Sequence, residues 1–193
     1  LSGAHIGKQE RKEEVSMILQ QSEEADKRGL ELGRKQGEAL ENTLRHMIED
    51  VANTGGEEEV GDYLIGYAIE EAEGMYESRN GQLEWTEPGD SNIHVEVSIR
   101  DVADGRFIPG LAPQVTLIDQ EGNRFGPYRH HLLWHPYLYH YGRNWHLPKG
   151  GTYTLVVRFD APAFPRHDKV NGLRFENGAE CKFDRVEIEI GER

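Results

Sequence analysis

Apolar positions along this chain change their spacing near Pro88. Ahead of it they recur as on one face of a helix. Leu40, Leu44, Met47, Ile48 and Val51 form one such stripe, and Leu64, Ile65, Ala68, Ile69, Ala72 and Met75 form a second. Asn53-Thr54-Gly55-Gly56 separates them as a breaker, and the acidic residues that follow suit a helix N-terminus. A weaker stripe of Val15, Ile18, Leu19 and Ala25 predicts helix from about residue 8. Gly29, Gly33 and Gly37 weaken its continuation, because glycine inside a helix costs about 1 kcal/mol relative to alanine. The pattern predicts two or three amphipathic helices, a helical extension over residues 1–88.

After Pro88 the period becomes two. Ile93, Val95, Val97 and Ile99 alternate with His94, Glu96, Ser98 and Arg100. Tyr153, Leu155, Val157 and Phe159 alternate with Thr152, Thr154, Val156 and Arg158, and Val186, Ile188 and Ile190 with Glu187 and Glu189. Further strands are predicted at Gln114–Asp119 and Arg124–Tyr128, joined by Gln120-Glu121-Gly122-Asn123. About seven short strands in roughly 105 residues is the requirement of an immunoglobulin-like sandwich, with a small barrel as the alternative. The predicted fold is therefore mostly β: a sandwich over residues 89–193 behind a helical hairpin.

Histidine placement adds chemistry to this frame. Seven of the nine histidines lie between His94 and His167, and five of them fall between His130 and His146 among tyrosines and tryptophans. Imidazole is the commonest protein ligand for transition metals, although a dense histidine tract is also what an aromatic loop over a core would show. His94 and Glu96 stand two apart on one strand and so share a face, one nitrogen and one oxygen donor together. The bland alternative is a solvent-facing polar pair. His135, His140 in its aromatic turn, and His167 in the loop after the strand ending near Asp160 are the other candidates, because loops cluster at the two ends of a sandwich. His130, His131 and His146 read as packing or surface residues, and His5 and His46 carry no assigned role.

Composition narrows the partners. A net charge of −13 argues against nucleic acid, whose binders carry a basic stripe. A lone Cys181 excludes an intrachain disulfide and a multi-cysteine zinc site. No apolar run approaches the ~20 residues of a membrane span. The chain begins at Leu1 rather than Met, as expected of a processed or trimmed fragment, with a leader removed or not. No Ser-His-Asp order, phosphate loop or paired-carboxylate motif stands out.

Between about residues 92 and 190 the motifs resemble the bacterial Fe2+ transport protein family, periplasmic immunoglobulin-like proteins that bind copper and assist iron uptake. Ile93-His94-Val95-Glu96 matches the family's I-H-L-E strand, and Phe107-Ile108-Pro109-Gly110-Leu111 stands where it has W-M-P-Y-L. His140-Tyr141-Gly142-Arg143-Asn144 matches H-Y-G-x-N, Gly151-Thr152-Tyr153-Thr154-Leu155 matches G-x-Y-x-L, and Pro165-Arg166-His167-Asp168 is similar to G-R-H-x-D. The resemblance implies copper held by His94, His140 and His167, with Glu96 as a nearby carboxylate linked to a second metal position. Leu133 falls where the family has a methionine ligand, with His135 close by as its replacement, and Tyr137 or Leu138 falls where it has an acidic residue. Without the thioether the site becomes harder and richer in nitrogen, which favours Cu(II), zinc or nickel over Cu(I).

The expected function is thus a metal-binding accessory protein of iron or copper transport. Copper is the leading cofactor, with iron, zinc or manganese as alternatives. The resemblance further implies a periplasmic or cell-surface location, a membrane iron permease as partner and a homodimer. The rival readings are a structural sandwich that has lost its metal and a copper-dependent ferroxidase.

Overall fold

The computed structural model describes residues 18–190. Its elements are helix α1 (Lys27–His46) with one further π-helical turn (Met47–Val51), then β1 (Thr54–Val60), β2 (Tyr63–Glu71), β3 (Met75–Arg79), β4 (Gln82–Thr86), β5 (Ile93–Asp101), β6 (Gln114–Asp119), β7 (Arg124–Arg129), β8 (His131–His135), β9 (Leu138–Trp145), β10 (Gly151–Phe159) and β11 (Ala179–Ile188). A five-stranded antiparallel sheet in the order β1-β2-β5-β9-β8 packs on a four-stranded one in the order β11-β10-β6-β7. Ile93, Val95, Val97 and Ile99 from β5 meet Val115, Leu117, Leu155 and Val157 between the sheets, all fully buried. The expected β-sandwich with an N-terminal helix is therefore present.

The second helical stripe is a strand. β2 pairs with β5 from Tyr63↔Asp101 to Glu71↔Ile93. Tyr63, Ile65, Tyr67 and Ile69 enter the inter-sheet core, while Ala68 on the opposite face is buried against Met47 and Leu138. A strand covered on both faces carries apolar residues in both phases, so helical spacing can be fitted within it. The sheet begins at Thr54, and residues 75–86 form a two-stranded ribbon turned at Asn80-Gly81, both with positive φ, as a two-residue hairpin turn demands. The expected helical hairpin is thus one helix.

That helix starts where Asp26 accepts a hydrogen bond from the Gly29 amide at 2.7 Å. The helix predicted from residue 8 is not seen in Ile18–Ala25, and its earlier part, with Val15 and Met17, lies outside the described residues. The glycines counted against helix are packing glycines. A Cβ at Gly37 would stand 1.7 Å from the Asp104 carbonyl oxygen, so only glycine lets α1 close on the Asp104-Gly105 turn. This contact seats Leu40, Leu44 and Met47 over the outer face of the five-stranded sheet. No helix among the described residues is long and apolar enough to cross a membrane.

Candidate metal centre

Strand alternation sends His94, Glu96, Ser98 and Arg100 to the sheet face opposite the sandwich core. All four are buried, His94 and Glu96 at 3% and 4% exposure, because neighbouring strands and the end of the helix cover them. β9 runs beside β5 with Glu96 opposite Gly142 and His94 opposite Asn144. His140, two residues before Gly142 on the same strand, therefore joins the same face. His140 Nε2 lies 3.2 Å and His94 Nε2 4.0 Å from Glu96 Oε1. One donor atom from each of the three residues falls within 4.8 Å of the others, the grouping of this kind among the described residues.

Gly142 makes the space. A Cβ there would approach His94 Nε2 and Leu133 Cδ1 to 2.7 Å and His140 Cδ2 to 3.0 Å. The position is glycine because two imidazoles and a leucine side chain converge over its backbone. The aromatic turn expected at His140 is instead part of β9, a strand of the sheet reached from β8 by a two-residue connection at Pro136-Tyr137.

Hydrogen bonding sets the tautomer of His94. Asn144 Nδ2 donates to the Glu73 carbonyl at 2.7 Å, which orients the amide. Its Oδ1, an acceptor only, then lies 2.7 Å from His94 Nδ1, so Nδ1 carries the proton and the Nε2 lone pair faces Glu96. A partner that holds one ring nitrogen in this way is the usual support of a metal-binding histidine. His140 is buried and neither of its ring nitrogens has a hydrogen-bond partner.

Charge is scarce in this setting. Burial pushes the His140 imidazole down to about 3, with His94 and His135 adding to the effect, and burial also lowers His94 against the opposing pull of Asn144. Burial raises the Glu96 carboxyl to about 8, helped by the neighbouring Glu70, its hydrogen bond to Glu96, and Glu73. Glu70 is raised as well, first by its own burial and then by Glu73. At neutral pH the cluster thus holds neutral imidazoles and a carboxyl pair sharing a proton, with Glu96 as donor. A divalent cation would replace that proton and take the lone pair of one His140 nitrogen.

The remaining sequence candidates are placed differently. His135 ends β8 half-buried, its ring centroid 6.5 Å from that of His140 and 4.3 Å from that of Tyr137, beside the group but not in it. His167 does not join. Its side chain is 91% exposed and lies 3.1 Å from Glu24, because its loop folds onto the segment ahead of α1, where Ser22 donates to Asp168 and Gln20 to Asn171. His130 is a core residue, accepting a hydrogen bond from Trp145 Nε1 at 3.2 Å, and His46 pairs with Asp50. Reading residues 64–75 as helix hid Glu70, which stands directly opposite His94 on β2, and with it Glu73. Alternation of Tyr63, Ile65, Tyr67 and Ile69 was the signal that could have found them.

Among solved structures, FetP from uropathogenic Escherichia coli strain F11, isolated after expression in the periplasm, matches with a TM-score of 0.58 and 17% identity, over 71% of this chain and 95% of FetP. Copper-reconstituted P19 from Campylobacter jejuni matches at 0.57 and 19%, over 70% and 96%. The chain has their fold. A copper-bound variant of the same FetP aligns at 0.58 and 15%, over 72% and 92%. The sandwich expected from the motif resemblance is the sandwich of these proteins. No protein-family model and no curated protein matches the sequence.

Proposed function

We propose that the protein binds a copper ion through His94, Glu96 and His140 and acts as a metal-binding accessory protein of iron or copper transport. The observation that carries the reading is the convergence of three buried donor atoms, one of them on an imidazole with no other partner. Two nitrogens and an oxygen suit Cu(II) or zinc. Copper is preferred because FetP and P19, which share the fold, have been obtained with copper. When bound, the ion would supply positive charge to a site that otherwise holds its carboxyl protonated. Around it, Asn144 would hold the His94 tautomer and Gly142 would leave the room, while Glu70, which shares the Glu96 proton when no ion is bound, would stand beside the ligand carboxylate.

A sandwich serving structure alone has less support. A buried polar group without a partner costs about 1–3 kcal/mol, which an apolar residue at position 140 would avoid. No catalytic step is assigned to the site. His135 is the nearest further imidazole, and His167 is exposed, its side chain 3.1 Å from Glu24. A homodimer, a periplasmic location and a membrane permease partner belong to the same reading. The exposed Leu132 and Trp134 of edge strand β8 support the homodimer.

The test is copper and zinc titration of untagged protein beside His94→Ala and His140→Ala variants. Wild type should bind one equivalent, and each variant should lose it while keeping the far-ultraviolet spectrum of the sandwich. Wild-type protein with no metal affinity, or variants that bind as wild type does, would end the proposal.

A further inference from the structure

The three donors of the proposed site are buried, so an ion needs a way in. Leu44, Met47 and Ile48 roof the face of Glu96 and His140 that meets the helix, and Asn144, tied to Glu73, backs His94. From His140 outward runs a line of rings. Ring centroids are 5.9 Å apart for His94 and His140, 6.5 Å for His140 and His135, 4.3 Å for His135 and Tyr137, and 5.6 Å for Tyr137 and His46. Exposure rises along it: His94 and His140 are buried, His135 is half-buried, Tyr137 is 37% exposed and the His46 side chain 55%. The connection between β8 and β9 supplies Tyr137 next to His135, and the last residue of α1 supplies His46.

At the outer end, His46 Nδ1 lies 2.7 Å from Asp50 Oδ2. A carboxylate only accepts, so Nδ1 carries the proton and the Nε2 lone pair is left for another partner. Asn144 does the same for His94 at the inner end, where a partner on Nδ1 presents Nε2 to the site. Midway, His135 Nδ1 is buried with no hydrogen-bond partner. A His-Asp pair four apart on a helix is ordinarily a solvated surface pair, and packed rings are ordinarily just packing. Neither accounts for imidazole at 46, 135 and 140 in turn, where a phenylalanine would pack as well. We infer that His46, supported by Asp50, is a surface capture point for the copper ion, and that His135 passes the ion between it and the buried donors. This deepens the metal-site reading and rests on it. Exchange from one imidazole to the next keeps the ion bound to nitrogen while it sheds water. Glu49 beside Asp50 adds negative charge at the mouth, which draws a cation there. Tyr137 stands between His46 and His135 and must turn aside, for which its exposed edge leaves room.

The test uses the full chain and Cu(II) alone. Loading of metal-free protein is followed by stopped-flow quenching of tryptophan fluorescence, release by transfer to excess chelator, and affinity by titration. A residue that carries the ion without holding it at the end changes both rates by one factor and leaves affinity alone. His46→Ala and His46→Phe should therefore each load and release copper several-fold more slowly than wild type, with unchanged affinity. Phenylalanine keeps a ring against Tyr137 and alanine removes it, so slowing in both comes neither from obstruction nor from lost packing. His135→Phe should slow both rates as well, and the His46 pair stands where this variant fails to fold. His146→Phe is the control, since His146 bonds to the Asp90 carbonyl away from this line, and it should load like wild type. Wild-type rates in either His46 variant, or an affinity that falls with the loading rate, would overturn the inference and leave the metal site standing. Wild-type protein that takes up no copper would remove the metal site and this path together.

Discussion

Asn144 holds His94 by its Nδ1 at 2.7 Å, across the pairing of β9 with β5, and so turns the other ring nitrogen toward Glu96. Loss of this support should be felt in affinity more than in fold. Asn144→Ala is expected to weaken copper binding about 10–100-fold, the usual effect of losing a partner behind a metal ligand. Titration of the variant beside wild type checks it, and equal affinities would show that the ring needs no such support.

Gly142→Ala should abolish copper binding while the sandwich still folds. The added Cβ would stand 2.7 Å from His94 Nε2, in the space the donors share, on a strand that has no special backbone requirement there. Copper titration with a parallel thermal melt decides this. Retained affinity would mean that the ion sits elsewhere.

Copper affinity should rise with pH between about 6 and 8. Below about 8 the Glu96 carboxyl is protonated, so binding must expel a proton, and affinity falls as pH drops through that range by about a decade per pH unit for one displaced proton. The imidazoles contribute less to this slope, because burial holds His140 near 3 and also lowers His94. Copper titrations from pH 6 to 8.5 should show the slope in wild type and its loss in Glu96→Gln. A flat profile for wild type would argue against Glu96 as a ligand.

His130 should make the fold acid-sensitive. Its pKa is pushed down to about 3, first by burial and then by His94 nearby, against an ordinary value of 6.5. The unfolded chain therefore takes up a proton at pH 6.5 that the folded chain refuses until about 3. Its contribution is complete above 6.5 and is lost as pH falls below that value, by about 1.4 kcal/mol per unit. The raised Glu96 and Glu70 carboxyls act in the opposite sense, so the effect is read as a difference between wild type and His130→Gln. Urea unfolding at pH 7.5 and 5.0 should show wild type losing more stability than the variant.

Gly37→Ala should destabilise the protein by about 1–3 kcal/mol through overpacking, since its Cβ would fall 1.7 Å from the Asp104 carbonyl oxygen. Gly29→Ala, whose Cβ meets nothing closer than 3.5 Å, should be neutral or stabilising. Thermal melts of the two variants separate packing from propensity, and equal melts would refute the close approach.

Local pattern was enough for much of the fold. Period two at residues 93–99, 114–119 and 153–159 placed three central strands, since alternation against one core leaves a clean signature. His94 and Glu96 were paired on one face for the same reason. The pattern failed where a segment is apolar on both faces. Helical spacing fits β2, which is buried on both faces, and it runs on to Met75, which opens the strand ahead of the Asn80-Gly81 turn.

Sequence by itself determined which residues share a strand face, because side-chain direction follows from backbone geometry over a few residues. Only the tertiary structure decided what covers that face. The helix closes over the polar side of β5, and that burial turns a solvent-facing pair into part of a buried donor cluster in which His140 has no hydrogen-bond partner. It also decided proximity: Glu70 and His140 arrive from the strands on either side of β5, while His167 is carried off by a loop that docks elsewhere. Contacts between residues far apart in the chain depend on how whole elements pack, and no local period records that.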